Sequence, residues 1–230
     1  EVKALGVPMG VPVFKVRALL DAHQVVLFSS NYVLYGDLSD RVMQILARMA
    51  SQIEVYSIDE AFLCLAGLHV DNWLNYGLQV RQQVYQDVGI PISVGLAPTK
   101  TLAKVANQLG KKGTGVHLLH TPNQIEQALS TFPVRDIWGV GSAYSRMLRR
   151  HQVHTAHEFT QLPESWVRDR MTITGLRTHR ELRGMSCIDL ELAPPPRKSV
   201  IYSRSFGRRL QDLSELREVV AHYAARLGAK

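Results

Sequence analysis

With 230 residues, 46% of them hydrophobic, the chain is long enough for one large domain or for two to three small ones, each with its own core. It holds no run of about 18 apolar residues and no charged, apolar and small-residue leader, which argues against a membrane span or secretory signal and for a soluble globular protein. The formal charge of +7 is uneven: residues 1–120 carry 10 Lys and Arg against 9 Asp and Glu, residues 121–230 carry 17 against 11, and 15 of those 17 are Arg. Arg suits bidentate phosphate contact, so the excess reads either as a surface for an anionic polymer or as a solvated basic face. Cys64 and Cys187 lie far apart without metal-ligand spacing and read as reduced cytosolic thiols.

In chain order, "EVKALG" reads as the last turns of a helix closed by Gly6, which suggests that Glu1 is a cut rather than a natural start. A Pro/Gly loop leads to a short helix near Lys15 to Ala22, then to an apolar strand at Val25 to Phe28. From Asn31 to Ala50, Leu34, Leu38, Val42, Ile45, Leu46 and Met49 recur at helical spacing and predict one long amphipathic helix. "IEVYSIDEAFLCLAG" is too rich in apolar and β-branched residues for a solvated loop. It predicts a hairpin turning at or near Asp59 and Glu60. A helix at about Val70 to Val88, a strand at Ile92 to Ala97, a helix capped by Thr99 or Thr101 and ending at Gly110, and a short strand "GVHLL" follow. This alternation predicts an α/β (α+β) layer with a mixed sheet and its helices on one face.

The composition changes near Thr121 to short helices, with "WGVG" between two of them, down to about Gly184. "ELAPPPRKS" reads as a proline-stiffened linker. Ser199 to Phe206 predicts a strand, and Leu213 to Leu227 an amphipathic helix, too little to bury a core alone.

Asp59 and Glu60 are the chemical anomaly of the chain. Neighbours on a flat strand point to opposite faces, so two adjacent carboxylates converge only at a turn or bulge. Held at the edge of an apolar sheet they repel, and an oxygen-seeking divalent ion such as Mg²⁺ is one natural partner. An exposed acidic turn is the alternative. In "VRDIWGVGSAYSRMLRRHQV", helix, tight glycine turn and helix follow one another. Gly139 and Gly141, flanking Val140, let the backbone approach a phosphate, the next helix offers free N–H groups, and Arg146, Arg149 and Arg150 add cations. A plain helical turn needing glycine is the competing reading. His151, His154 and His157 lack a Cys or carboxylate to complete a zinc set and read as an exposed cluster. Trp73 and Trp138 read as core residues rather than base-stacking platforms.

In order, "YSIDEA", "GLAPTKTLAKVAN", "GKKGTGV" and "IWGVG" resemble the Y-family translesion DNA polymerases, and among them the UmuC-type catalytic subunit of bacterial DNA polymerase V. The resemblance covers essentially the whole chain. It implies the end of the fingers at 1–25, a palm at 26–120, a small all-helical thumb with a helix-hairpin-helix at 121–192, a linker at 193–198 and the start of an α/β little-finger domain from Ser199. By that resemblance Asp59 and Glu60 are the metal-binding and catalytic carboxylates for two Mg²⁺ ions. Lys3 and Lys111 contact the incoming triphosphate, while Gly139, Val140, Gly141, Arg146 and Arg149 contact DNA. For Lys111, a cation complementing a helix C-terminus is the competing explanation. Lys100 and Lys104 receive no catalytic role.

The resemblance further implies primer-template DNA and a deoxynucleoside triphosphate as substrates. It adds SOS mutagenesis in a bacterial cytoplasm, and a UmuD-type accessory dimer, a processivity clamp and a recombinase filament as partners. A third acidic ligand and the ribonucleotide-excluding aromatic would come from a first palm strand preceding Glu1. A chain of this length is therefore expected to be inactive by itself. A catalytically silent DNA-binding or scaffolding module is the alternative, and a palm-type nucleotidyl cyclase would have no use for the hairpin thumb.

Overall fold

Short polar side chains placed just ahead of amphipathic runs set the helix starts. In the computed structural model, which describes residues 2–193, 196 and 198–229, α1 spans Val13–Ala22 and α2 spans Tyr32–Arg48. The Asn31 side chain accepts from the Leu34 amide at 3.1 Å and so starts α2. Helix α3, Trp73–Val88, is capped by Asn72 and closed by Gly89 at φ 77°. Helix α4, Lys100–Lys112, takes Thr99 rather than Thr101 as its cap. A Thr121/Gln124 capping box opens α5, Pro122–Thr131. The remaining helices are α6 Ser142–Arg150, α7 Ala156–Thr160, α8 Glu164–Leu182 and α9 Leu213–Gly228. None among the described residues is long and apolar enough to cross a membrane.

The sheet departs from expectation. Strands β1, Gln52–Ser57, and β2, Glu60–Cys64, form an antiparallel hairpin, while β3, Val94–Leu96, and β4, Val116–Leu118, form a separate parallel pair. The predicted single mixed sheet is thus two ribbons among the described residues. Val25 to Phe28 and Ser199 to Phe206, both predicted strands, adopt no regular structure. A strand is stabilised by a ladder partner, and neither segment has one; Phe28 is 88% exposed. The region from Ser199 therefore shows a helix but no strand among the described residues, short of an α/β start. The opening helix end is one 3₁₀ turn, Val2–Leu5, closed by Gly6 at φ 79°.

Packing forms two separate cores among the described residues. Val42, Ile45 and Leu46 of α2 bury against Val80 and Val84 of α3. Helix α4 turns its apolar face the other way: Leu102, Val105 and Ala106 share a core with Leu129, Phe132, Leu148, Phe159 and Val167. Each of the larger side chains contributes about 1.5–3 kcal/mol. Helix α4 also lies against β3 so closely that a Cβ on Gly95 would stand 2.2 Å from the Ala103 carbonyl oxygen. Glu1–Leu190 forms one compact unit and Glu191–Lys230 another. In the latter, Tyr202 and Phe206 pack on Tyr223 of α9, and no α9 residue is buried. Pro194, Pro195 and Arg197 of the predicted linker lie outside the described residues.

Candidate active site

The hairpin places its acids by register. Val55 pairs with Ala61 and Ser57 with Glu60, so β1 carries one extra residue, Tyr56, as a bulge, and Ile58 and Asp59 form the turn. Asp59 is exposed. Its Oδ1 accepts from Ser57 Oγ at 2.6 Å, which fixes the carboxylate close to the backbone. Glu60, the first residue of β2, is half-buried, and its Oε2 lies 2.7 Å from the Lys104 ammonium. Glu54 is buried and paired with Lys100, whose ammonium also donates to the Asp189 carbonyl at 2.6 Å.

The two lysines thus supply positive charge to the apolar hairpin, with Lys104 paired to Glu60 and Lys100 to Glu54. The sequence gives Lys100 and Lys104 no catalytic role. The available signal was their spacing, one helical turn apart on the face of α4 opposite Leu102 and Val105. Nothing local connects them to acids 46 and 44 positions earlier.

A cleft of about 1220 Å³ opens beside this cluster, with Asp59 and Glu60 on one wall and Lys100, Lys104 and Lys111 along α4. Lys111 is exposed in the last turn of α4, so it joins the carboxylates at the cleft and also suits the helix C-terminus. Lys3 lies in the opening 3₁₀ turn, exposed, and is not part of the cleft lining. Asp59 and Glu60 are hard oxygen donors at one turn, suited to a divalent cation. No group of three or more acidic, His or Cys side chains able to hold an ion occurs among the described residues.

The glycine turn stands apart from the cleft and touches the hairpin through one residue. Gly139 has φ 89°, in the left-handed region, and Gly141 caps α6 without a side chain. The element before the turn is a single 3₁₀ turn, Val134–Asp136, rather than a full helix. Val140 points inward and is buried, so only its backbone is available to a phosphate; Arg146, Arg149 and Arg150 are exposed. Trp138 is no ordinary core residue. Its Nε1–H donates to Tyr56 Oη at 3.2 Å, and its ring lies 5.6 Å from Tyr56 and 5.5 Å from Phe62.

Residues 1–108 match the family described as "IMS: impB/mucB/samB family". The whole chain is 40% identical to protein SamB of Salmonella typhimurium and 39% identical to protein UmuC of the same species, covering 56% of each. The chain therefore spans little more than half the length of these relatives. The crystal structure of DinB from Sulfolobus solfataricus superposes with a TM-score of 0.68 at 24% identity, over 83% of this chain and 56% of that one. At that identity the likeness speaks for the fold alone.

Proposed function

We propose that the chain is the palm-and-thumb part of a template-directed DNA polymerase of the Y family, acting in translesion synthesis. The observation that carries this reading is the pairing of Asp59 and Glu60 at a hairpin tip with a lysine-lined cleft, in a chain aligned throughout with UmuC. Asp59 and Glu60 would hold Mg²⁺. When bound, the ions lower the pKa of the primer 3′-hydroxyl and stabilise the leaving pyrophosphate. Two ions need a third carboxylate, and the family's first palm strand is where the resemblance implies it.

The chain's own residues do the rest by position. Glu60 is oriented by Lys104, Asp59 is fixed by Ser57, and Lys111 offers its ammonium to the triphosphate across the cleft. Lys3, outside the cleft lining, would be the second cation offered to the triphosphate, as the resemblance implies. The turn at Gly139 to Gly141 would present backbone N–H groups to DNA phosphates, with Arg146 and Arg149 adding charge, which holds duplex without reading sequence. Primer-template DNA and a deoxynucleoside triphosphate are the substrates. A UmuD-type dimer, the clamp and a recombinase filament are partners by the same kinship.

Primer extension by the full-length protein tests the reading. Asp59→Asn keeps the side-chain shape and removes one charge, so extension should fall about a thousandfold, equivalent to about 4 kcal/mol of transition-state stabilisation, while the fold survives. Glu60→Gln should do the same to rate and also lose a little stability with the Lys104 pair. Near-normal extension in both variants would return Asp59 and Glu60 to an exposed acidic turn.

A further inference from the structure

Lys104 occupies an unusual position. Its ammonium is 2.7 Å from Glu60 and lies over three rings at once, 4.9 Å from the Tyr56 centroid, 5.6 Å from Phe62 and 5.7 Å from Trp138. Tyr56 and Phe62 belong to the acidic hairpin, and Trp138 immediately precedes Gly139 of the glycine turn. The three rings contact one another at 5.5 to 5.6 Å, edge-on or tilted, and the Trp138 indole N–H closes the cage on Tyr56. Elements 34 to 82 residues apart in sequence therefore meet on one cation. The lysine stem leaves only 20% of that side chain exposed, so the charge is held by the carboxylate and the ring faces more than by water.

The geometry points to Lys104 as a positioning residue, an internal counter-ion that competes with a divalent cation for Glu60 and transmits the exchange to the glycine turn through Trp138. This inference rests on Asp59 and Glu60 being the metal-binding pair. With no ion present, Glu60 is neutralised by the ammonium and held in line. When Glu60 and Asp59 turn to a divalent cation, the ammonium loses its anion and is repelled by the ion, leaving the rings to hold it. Its movement alters the packing of Trp138, one residue from Gly139. The cage would so couple occupancy of the carboxylates to the position of the thumb backbone.

The experiment uses the full-length protein without DNA. Mn²⁺ binding is followed by electron paramagnetic resonance and the Trp138 environment by tryptophan emission during Mg²⁺ titration, with Trp138→Phe as the control that removes its signal. In the unmodified protein Mg²⁺ should shift the emission, and the shift should vanish in Trp138→Phe. Lys104→Met, which fits among the rings without charge, should bind Mn²⁺ about fivefold more tightly, as removal of one partly exposed competing charge implies. Lys104→Gln serves if the methionine variant does not fold, and Lys104→Arg should restore the original affinity. Unchanged Mn²⁺ affinity in both neutral variants, with binding still lost in Asp59→Asn, overturns the counter-ion role while leaving the metal site standing. Mn²⁺ uptake that is absent, or that persists in Asp59→Asn, overturns the metal site itself and this inference with it.

Discussion

Two acidic positions in the same unit are treated in opposite ways. Glu181 of α8 is fully buried, and its two carboxylate oxygens accept from the Thr101 amide at 2.8 Å, the Thr101 hydroxyl at 3.0 Å and the Cys187 and Ile188 amides at 3.2 Å each. Asp59 and Glu60 stand at the cleft with one hydroxyl and one ammonium between them. The saturated carboxylate has no lone pair left for a ligand and acts as a fastener, tying the N-terminus of α4 to α8 and the segment after it. The open pair keeps oxygens free. Coordination capacity left unused beside a cleft, rather than acidity itself, distinguishes a site built for chemistry from one built for packing.

The largest effect that would sharpen this contrast is in stability, not activity. Glu181→Ala leaves four donors without an acceptor inside the protein and opens a cavity, and should cost about 4 kcal/mol in denaturant unfolding. Asp59→Ala, by the same measurement, should change stability by less than about 0.5 kcal/mol, because that carboxylate is exposed. Equal losses at the two positions would erase the distinction.

Next in size is the contact that aims α4 and its lysines at the hairpin. Gly95→Ala places a methyl group 2.2 Å from the Asn107 amide nitrogen and the Ala103 carbonyl oxygen, both backbone, so β3 and α4 must separate. A loss of about 3 kcal/mol is expected, with a lowered melting temperature. A melting temperature within about a degree of the unmodified protein would mean that the ribbon yields freely and does not position the lysines.

Gly139→Glu probes the glycine turn. The positive φ strains any side chain there, though only the Thr178 hydroxyl lies near a new Cβ, at 3.3 Å. Duplex affinity at fixed salt should fall about tenfold, and equally for unrelated sequences, because backbone contacts to phosphate carry no base information. Unchanged affinity with an intact fold would assign the basic face to solvent.

Much of this frame was legible in the sequence, for reasons that differ by residue. Thr99, Asn31 and Gly89 act within one helical turn of their own positions, so the helix ends could be read locally. The hairpin turn at Asp59 was legible because alternation and its interruption are local too. Strands at Val25 and Ser199 were not decidable, since a strand exists only if another segment pairs with it. Lys104 and Glu181 were invisible for the same reason: Glu60 lies 44 residues from the first and Thr101 lies 80 from the second, and neither residue differs in its immediate neighbourhood from an ordinary solvated charge.

The smallest predicted effect concerns a group of the packed region that is neither saturated nor open. His179 of α8 is fully buried edge-on against Phe159, and its ring nitrogens have only the Leu162 and Thr160 backbone near them, with neither contact reaching good hydrogen-bond geometry. Burial, and then the Arg183 cation, push its pKa below the ordinary histidine value, so the folded protein keeps it neutral where the unfolded chain binds a proton. Stability should therefore be flat above about pH 6.5 and fall as pH drops below it, with a slope of at most about 1.4 kcal/mol per unit, until the folded-state pKa is reached. Glu158 and Glu164 act at lower pH: backbone N–H groups of His154 and Thr155 hold the first below the usual carboxylate range, and Arg180 the second. Their stabilisation is present above about pH 4.5 and is lost below it. His179→Leu removes the imidazole at similar volume and should leave stability at pH 7.5 unchanged or raised by up to about 1 kcal/mol, since a buried polar group with poor hydrogen bonds is lost. Urea unfolding at pH 7.5, 6.0 and 5.0 compares the two proteins. A decline with falling pH that is equally steep in His179→Leu would show that the buried imidazole is not its source.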